Sequence, residues 1–287
     1  MRVNFRQFLT SATCFTGLFV LVFVFYSIRA YDEIRISTFS LKEFMQTIFV
    51  LSKRPLANYL VGASLFYFIF WKFLQNLLHS KKIQKRSVRV AKYIFDICNS
   101  LLNVLTISAL SVFMLAVVQS PYCKIYQNID EYGYLYMIAS FIIAMLAIDT
   151  YYYWLHRFLH TRWLYKHFHS VHHISRSPTP WSTFAIAPLE QSLVYLFYLS
   201  LVCVLPMHKT VFIAYLFVGL IRQFIGHLGF EVFPKSTLDG WLKWNLTVTH
   251  HDMHHQYISC NYGLYFNLWD SLMKTNHKKY YEKFRNL

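Results

Sequence analysis

Acidic residues are scarce in this chain: 13 Asp and Glu stand among 287 residues, against 28 Lys and Arg, and charged residues make up only 14%. Soluble domains carry about 25%, so the composition argues against a water-bathed globule and for lipid as the solvent. The five cysteines, at positions 14, 98, 123, 203 and 260, are scattered, odd in number and free of any CxxC. That excludes a disulfide framework and a zinc knuckle, and leaves packing within spans as their use. No GxGxxG or comparable flavin, haem or nicotinamide motif occurs, so any reductant comes from elsewhere. No nucleic-acid-binding motif accompanies the net charge of +15, and no fixed-period repeat or low-complexity segment interrupts the chain.

What is abundant is apolar: 56% of residues are hydrophobic and 20% aromatic. Arg2 and Arg6 precede an apolar run over residues 8–28 that lacks a small-residue cleavage site and is too long for a signal-peptide core, so it reads as a retained first span. After a mixed, amphipathic stretch over 29–54, Pro55 introduces a second span at 56–78. A third follows at 97–118 and a fourth at 134–154, each long enough to cross about 30 Å of hydrocarbon. The loop over 79–92 holds Lys81, Lys82, Lys85, Arg86, Arg89 and Lys92 and no acid. Positive loops stay in the cytoplasm, and counting crossings from it returns the chain to that side where His156 begins. The apolar stretch 183–226 is divided at 206–209, which predicts a hairpin that enters and leaves on one side, tolerated only where buried in protein. From Gly229 the chain is polar enough for a cytoplasmic cap and ends in a basic tail. The expected architecture is therefore all-α and multi-pass: about four transmembrane helices plus an apolar helical hairpin, under a cytoplasmic histidine-rich helical cap. Residues 1–130 supply the N-terminal spans and 131–287 the chemistry, as one cooperative unit.

Histidine carries the chemistry. His156 and His160 are four apart, so on a helix both rings leave the same face. His169, His172 and His173 follow steps of three and four, gathered within an arc of about 100°. His251, His254 and His255 repeat that pattern far downstream. A single HxxxH arises often by chance. HxxHH twice, with a further pair, all beside apolar spans, points to a transition metal, and the rings outnumber what one ion needs.

The flanks of these groups resemble the fatty acid hydroxylase and sterol desaturase superfamily of integral-membrane histidine-box enzymes. The resemblance is carried by Asp149 and Tyr153-Trp154-x-His156-Arg157-x-x-His160, by Leu164-Tyr165-Lys166 and His169-x-x-His172-His173, and by Ser177-Pro178-Thr179-Pro180-Trp181. It continues through Pro188-Leu189-Glu190, Gly226-His227-x-Gly229-Phe230-Glu231, Thr249-His250-His251-Asp252-Met253-His254-His255 and the run from Asn261 to Asp270. It covers residues 149–275 densely; the first 130 share only their apolar character. It implies two iron ions, with zinc able to take the site on purification, held by His156, His160, His169, His172, His173, His251, His254 and His255, and by His227, which matches an additional histidine before the third box. It also implies a lipid substrate, sterol, sphingoid or fatty acyl, oxidised by O₂ with electrons from a cytochrome b5- or ferredoxin-type donor. Hydroxylation and desaturation both stay open, and a histidine-rich metal transporter or metal-binding protein without oxygenase activity is the alternative.

Two departures bear on the ligand set. Ala187 stands where some members place a histidine before the Pro-x-Glu motif, and Glu231 stands where fatty acid hydroxylases carry a second histidine after His227. Glu231 is expected either as a ligand or as a structural carboxylate. Asp149, two turns before His156, is expected either to accept the outer ring N–H of a ligating histidine or to make a structural hydrogen bond. His167 and His250 are expected at the surface or behind the ligands, His79, His208 and His277 in solvent, and Arg222 snorkelling to the cytoplasmic surface. Trp154 and the aromatics over 262–269 read as interface anchors and packing.

Overall fold

The computed structural model describes residues 40–85 and 87–287. The first expected span, over 8–28, lies outside the described residues, as does Arg86. Six helices frame the molecule: α1 (Leu41–Phe66), α2 (Val90–Val118), α3 (Gly133–Leu159), α4 (Pro188–Val204), α5 (Lys209–Gly226) and α6 (Val248–Tyr257). Among the described residues the one regular strand pairing is a parallel contact of β1 (Ile125–Tyr126) with β2 (Met207–His208), in register Ile125 to Met207. It ties the α4–α5 turn to the segment after α2. The architecture is all-α.

Among the described residues, four helices are long and apolar enough to cross a membrane: Lys42–Phe73, Val90–Val118, Gly133–Leu159 and Lys209–Gly226. The first three are the expected second, third and fourth spans, and the last is one arm of the expected hairpin; the other arm, α4, is apolar but shorter. Rows of exposed apolar side chains, among them Leu102, Leu105, Leu135, Ile138 and Ile142, lie on α2 and α3. Contiguous apolar surface on that scale suits lipid.

The second span does not begin at Pro55. Ser40 and Glu43 form a capping box, with the Glu43 N–H donating to Ser40 Oγ at 3.3 Å and the Ser40 N–H to Glu43 Oε2 at 2.8 Å. Two otherwise orphaned donors are thereby satisfied, so the helix starts there and carries Pro55 inside it. It then widens into a π-helical turn over Tyr67–Phe73.

Two apolar clusters hold the frame. One joins α3, α4 and α5 through Ala144, Ile148, Val202, Phe212 and Tyr215. The other joins α1, α2 and α5 through Tyr59, Ala63, Val104, Leu220 and Phe224. A Cβ at Gly62 would run into the Phe224 ring, so glycine is what lets α1 approach α5 there. Tyr59 Oη and Ser100 Oγ both donate to the Trp181 carbonyl, at 3.0 and 3.2 Å, fastening α1 and α2 to the loop between the second histidine group and α4. The hairpin forms as expected. The segment leading into α4 and the residue following α5 reach the same histidine cluster, so both arms begin and end on one side.

Candidate metal centre

The last turn of α3 presents His156, and His160 caps its end. Three short helical pieces, Arg162–Leu164, the π turn Tyr165–His169 and Ser170–His173, carry the second group. His227 follows α5, where Gly229 at φ 79° turns the chain away. The third group lies on α6, capped by Thr247 Oγ1, which accepts from the His250 N–H at 3.3 Å.

All nine expected ligands meet, as two sets. His156, His160, His169, His173 and His254 form site A; His172, His227, His251 and His255 form site B, and within each set the ligand atoms lie within 4.8 Å of one another. The sets abut, with the His173 and His255 rings 5.1 Å apart. The division crosses the sequence groups. In each HxxHH the first and last rings join one site and the middle ring joins the other. On a helix i and i+4 are about 40° apart, while i+3 lies about 100° from i+4. One short helix can thus face two ions.

The ring nitrogens point to cations. In site A, Nε2 of His169 lies 3.1 Å from that of His156 and 3.0 Å from that of His173, whose Nε2 is 3.2 Å from His160 and 3.1 Å from His254. In site B, His251 Nε2 is 3.0 Å from His227 and 3.1 Å from His255. The outer nitrogens decide the tautomers. His156 Nδ1 faces the Tyr262 carbonyl at 2.9 Å, His254 Nδ1 that of Cys260 at 2.6 Å and His172 Nδ1 that of Ala185 at 3.3 Å. Carbonyls only accept, so these Nδ1 atoms carry the proton and donate it. His169 Nδ1 donates to Glu190 Oε2 at 2.8 Å. Ser182 Oγ spends its hydrogen on the Thr179 carbonyl and so accepts from His227 Nδ1, at 3.0 Å. The inward Nε2 atoms therefore bear lone pairs. His156 and His169 turn theirs on each other at 3.1 Å, an arrangement that a shared cation relieves.

Burial first, and neighbouring imidazoles second, hold six of these rings neutral. His160 is lowered to about 2, His251 to about 3, and His173, His227, His254 and His255 are all driven down. His172 falls to about 4, where the Glu190 charge offsets part of the burial effect. Sets of five and four imidazoles fit first-row transition ions.

The structure decides between the alternatives left open and corrects other expectations. Asp149 accepts the backbone N–H groups of Tyr265 and Phe266 through Oδ1, at 2.8 and 3.0 Å, and touches no ligand. Glu190 fills the role considered for it. The signal was present: Glu190 is the sole acid between residues 183 and 226, and a lone acid in an apolar run needs a partner. Glu231 accepts the Thr249 N–H at 2.8 Å, the Thr249 hydroxyl at 2.6 Å and the Phe233 N–H at 3.0 Å. It anchors the first turn of α6 and is not in either set. His208 is buried against the Gln127 carbonyl and caps α5. Arg222 donates to the Leu246 and Tyr265 carbonyls at 3.0 and 3.1 Å. Both polar groups answer backbone carbonyls in place of solvent. His250 is buried beside Asn276 and Asp270, apart from both sets. His167 bonds the Trp163 carbonyl at the surface.

Outer-shell partners of ligating histidines are typically worth about 10- to 100-fold in metal affinity or activity. Glu190→Gln keeps an acceptor but removes the charge, and we expect about a tenfold fall in turnover; Glu190→Ala removes both, and we expect about 100-fold. Wild-type turnover and metal content in the Ala variant would contradict the role given to Glu190.

A cavity of about 500 Å³ opens against site B. His172, His227, His251 and Glu190 are in its lining, with apolar side chains of α1, α2, α4 and α5, including Leu51, Ile107, Met114, Val194 and Leu216, and a minority of polar ones, Arg54, Asn103, Gln191 and Arg222 among them. Its size is that of a site for one lipid-sized molecule.

A fatty acid hydroxylase family model matches residues 141–275, a span that contains all nine histidines. Lathosterol oxidase of Rattus norvegicus is 34% identical over 173 residues, 58% of this chain and 55% of that protein. A Delta(7)-sterol 5(6)-desaturase of Gibberella zeae is 31% identical over 219 residues, 74% of this chain and 64% of that protein. One of Schizosaccharomyces pombe is 30% identical over 216 residues, 75% of this chain and 67% of that protein. The chain spans about half the length of the mammalian relatives it matches. No solved structure matches.

Proposed function

The chain belongs to the fatty acid hydroxylase and sterol desaturase superfamily, and we propose that it is an integral-membrane di-iron oxygenase that hydroxylates or desaturates a lipid, a sterol above all. One observation carries this reading: two all-imidazole sites stand side by side, and one of them lines a largely apolar cavity. Iron held by His156, His160, His169, His173 and His254, and by His172, His227, His251 and His255, supplies O₂ activation and C–H cleavage. The names of the relatives, which act on sterols, support the substrate class.

The chain's own residues orient and exclude. Carbonyls of Ala185, Cys260 and Tyr262, with Ser182 and Glu190, hold the outer N–H of their histidines and so keep each inner lone pair aimed at a site. The apolar wall desolvates the lipid and keeps bulk water from the reacting carbon. Its lining includes three histidines of site B and none of site A, so the substrate approaches on the site B side. Electrons come from a cytochrome b5- or ferredoxin-type donor meeting the basic surface around the histidine cap, which we assign to the cytoplasmic face. Residues 131–287 act in this reading as the catalytic part, and 1–130 as its membrane support. Metal transport fits less well, because the rings gather at one end of the helices and form no path through them.

Lipids from cells with and without the gene product test the reading by mass. A gain of one oxygen marks hydroxylation and a loss of two hydrogens marks desaturation; identical lipid profiles would refute both.

A further inference from the structure

Within the cavity wall one polar group is left over. Asn103 lies near the middle of α2 and is 1% exposed; its Nδ2 donates to Gln191 Oε1, in the first turn of α4, at 3.2 Å. Gln191 is 9% exposed. Both residues line the cavity, and Asn103 Oδ1 has no hydrogen-bond partner. Among the described residues, Asn103 is the one cavity-lining side chain with a buried polar atom so left. A second polar pair in the wall is complete, since Ser111 Oγ bonds the Ile107 carbonyl at 2.7 Å and Tyr195 Oη at 2.9 Å. A buried amide oxygen without a partner costs about 1–3 kcal/mol, and inside a membrane helix water does not reach it cheaply.

We propose that Asn103 and Gln191 form the recognition point for the hydroxyl group of a lipid alcohol, a role that rests on the oxygenase reading above and narrows its substrate class. The amide orientations are set by the hydrogen-bond network, yet the conclusion does not depend on them. Whichever way either amide is turned, one bond between them leaves an acceptor on one side chain and N–H groups on the other. A hydroxyl is the small group that both donates and accepts. An ester or an ether offers no donor to the free oxygen, and a carboxylate would turn negative charge on it. Of the two arginines that line the cavity, Arg54 and Arg222, Arg222 already donates to the Leu246 and Tyr265 carbonyls. Position adds to chemistry. Gln191 follows Glu190, which bonds His169, so the hydroxyl is held at the metal end of the cavity and oxidation falls on carbon close to it.

Equilibrium binding to the purified metal-loaded protein in lipid nanodiscs tests this without turnover. The probes are a Δ7-sterol, its methyl ether, a long-chain primary alcohol, its methyl ether and the matching free fatty acid. We expect at least one alcohol to bind about tenfold or more tighter than its own ether and than the fatty acid. In Asn103→Leu, and independently in Gln191→Leu, that preference should collapse, with metal content and gel-filtration behaviour confirming each fold. Alcohol and ether binding alike, the acid binding best, no alcohol binding, or a leucine variant that keeps the preference would each overturn the proposal. The wild-type comparison decides even where a variant fails to fold. Oxidation is scored separately under O₂ and reductant. Turnover without alcohol preference sinks the recognition point alone, and alcohol preference without turnover sinks the oxygenase reading alone.

Discussion

His172→Ala and His251→Ala should each remove the ion of site B while leaving site A filled, and His169→Ala and His254→Ala should do the reverse. Site membership, not sequence group, is what these variants report. His172 and His169 belong to one HxxHH and His251 and His254 to the other, yet the structure pairs His172 with His251 and His169 with His254. Each substitution takes one imidazole from a set of four or five whose ligand atoms lie within 4.8 Å of one another. Activity should fall below detection in all four, beyond the loss of about 10- to 100-fold that follows deletion of an outer hydrogen-bonding partner. Metal analysis of the purified variants separates the sites. If His172→Ala retains both ions and its lipid product, or if it behaves like His169→Ala in which ion is lost, the crossed arrangement is wrong.

Removing metal from the wild-type protein should destabilise it strongly, and the metal-free fold should itself weaken in acid. Without an ion, lone pairs on neutral rings face one another at the centre of the cap. An ion bound at about 1,000 times its Kd adds about 4 kcal/mol, which in a chain of this size is worth about 10 °C in melting temperature. Acid weakens the metal-free fold further. In the unfolded chain these imidazoles take up protons as pH falls through about 6.5, whereas in the fold His172 stays neutral to about 4 and His251 to about 3. Below about pH 6.5 the unfolded state therefore binds more protons, and each such ring withdraws at most about 1.4 kcal/mol per pH unit from the apo fold. The stability is full above that pH and is lost as pH falls toward the folded values. Thermal unfolding in detergent, with and without chelator between about pH 5 and 8, checks this. A chelated protein that melts at the metal-loaded temperature, or whose melting is flat across that range, would count against buried neutral ligand sets.

Much of the site was legible before any coordinates. Spacing of three and four placed rings on shared helical faces, and nine histidines chosen on spacing and family flanks all lie in the two sets. Spacing alone did not tell which ring serves which ion. Positions i, i+3 and i+4 fan over about 100°, wide enough to face two neighbours, and the neighbours are other helices. Asp149 shows the same limit. Two turns before His156 it shares that face, but the loop carrying Tyr265 and Phe266 arrives there and takes its oxygen. Glu190, near in sequence to no ligand, is brought to His169 by the entry of α4. His208, in a turn that composition marks as solvated, is closed over by the Gln127 carbonyl.

Composition and spacing by themselves determined the solvent, the helical class and the donor atoms, because apolar content and helical periodicity are local properties written residue by residue. Tertiary structure alone decided the grouping into two sites, the partners of the outer ring nitrogens and the cavity lined in part by His172, His227 and His251. Those depend on backbone carbonyls and on helix ends distant in the chain, and the residue types that flank them leave no mark of where such groups will meet.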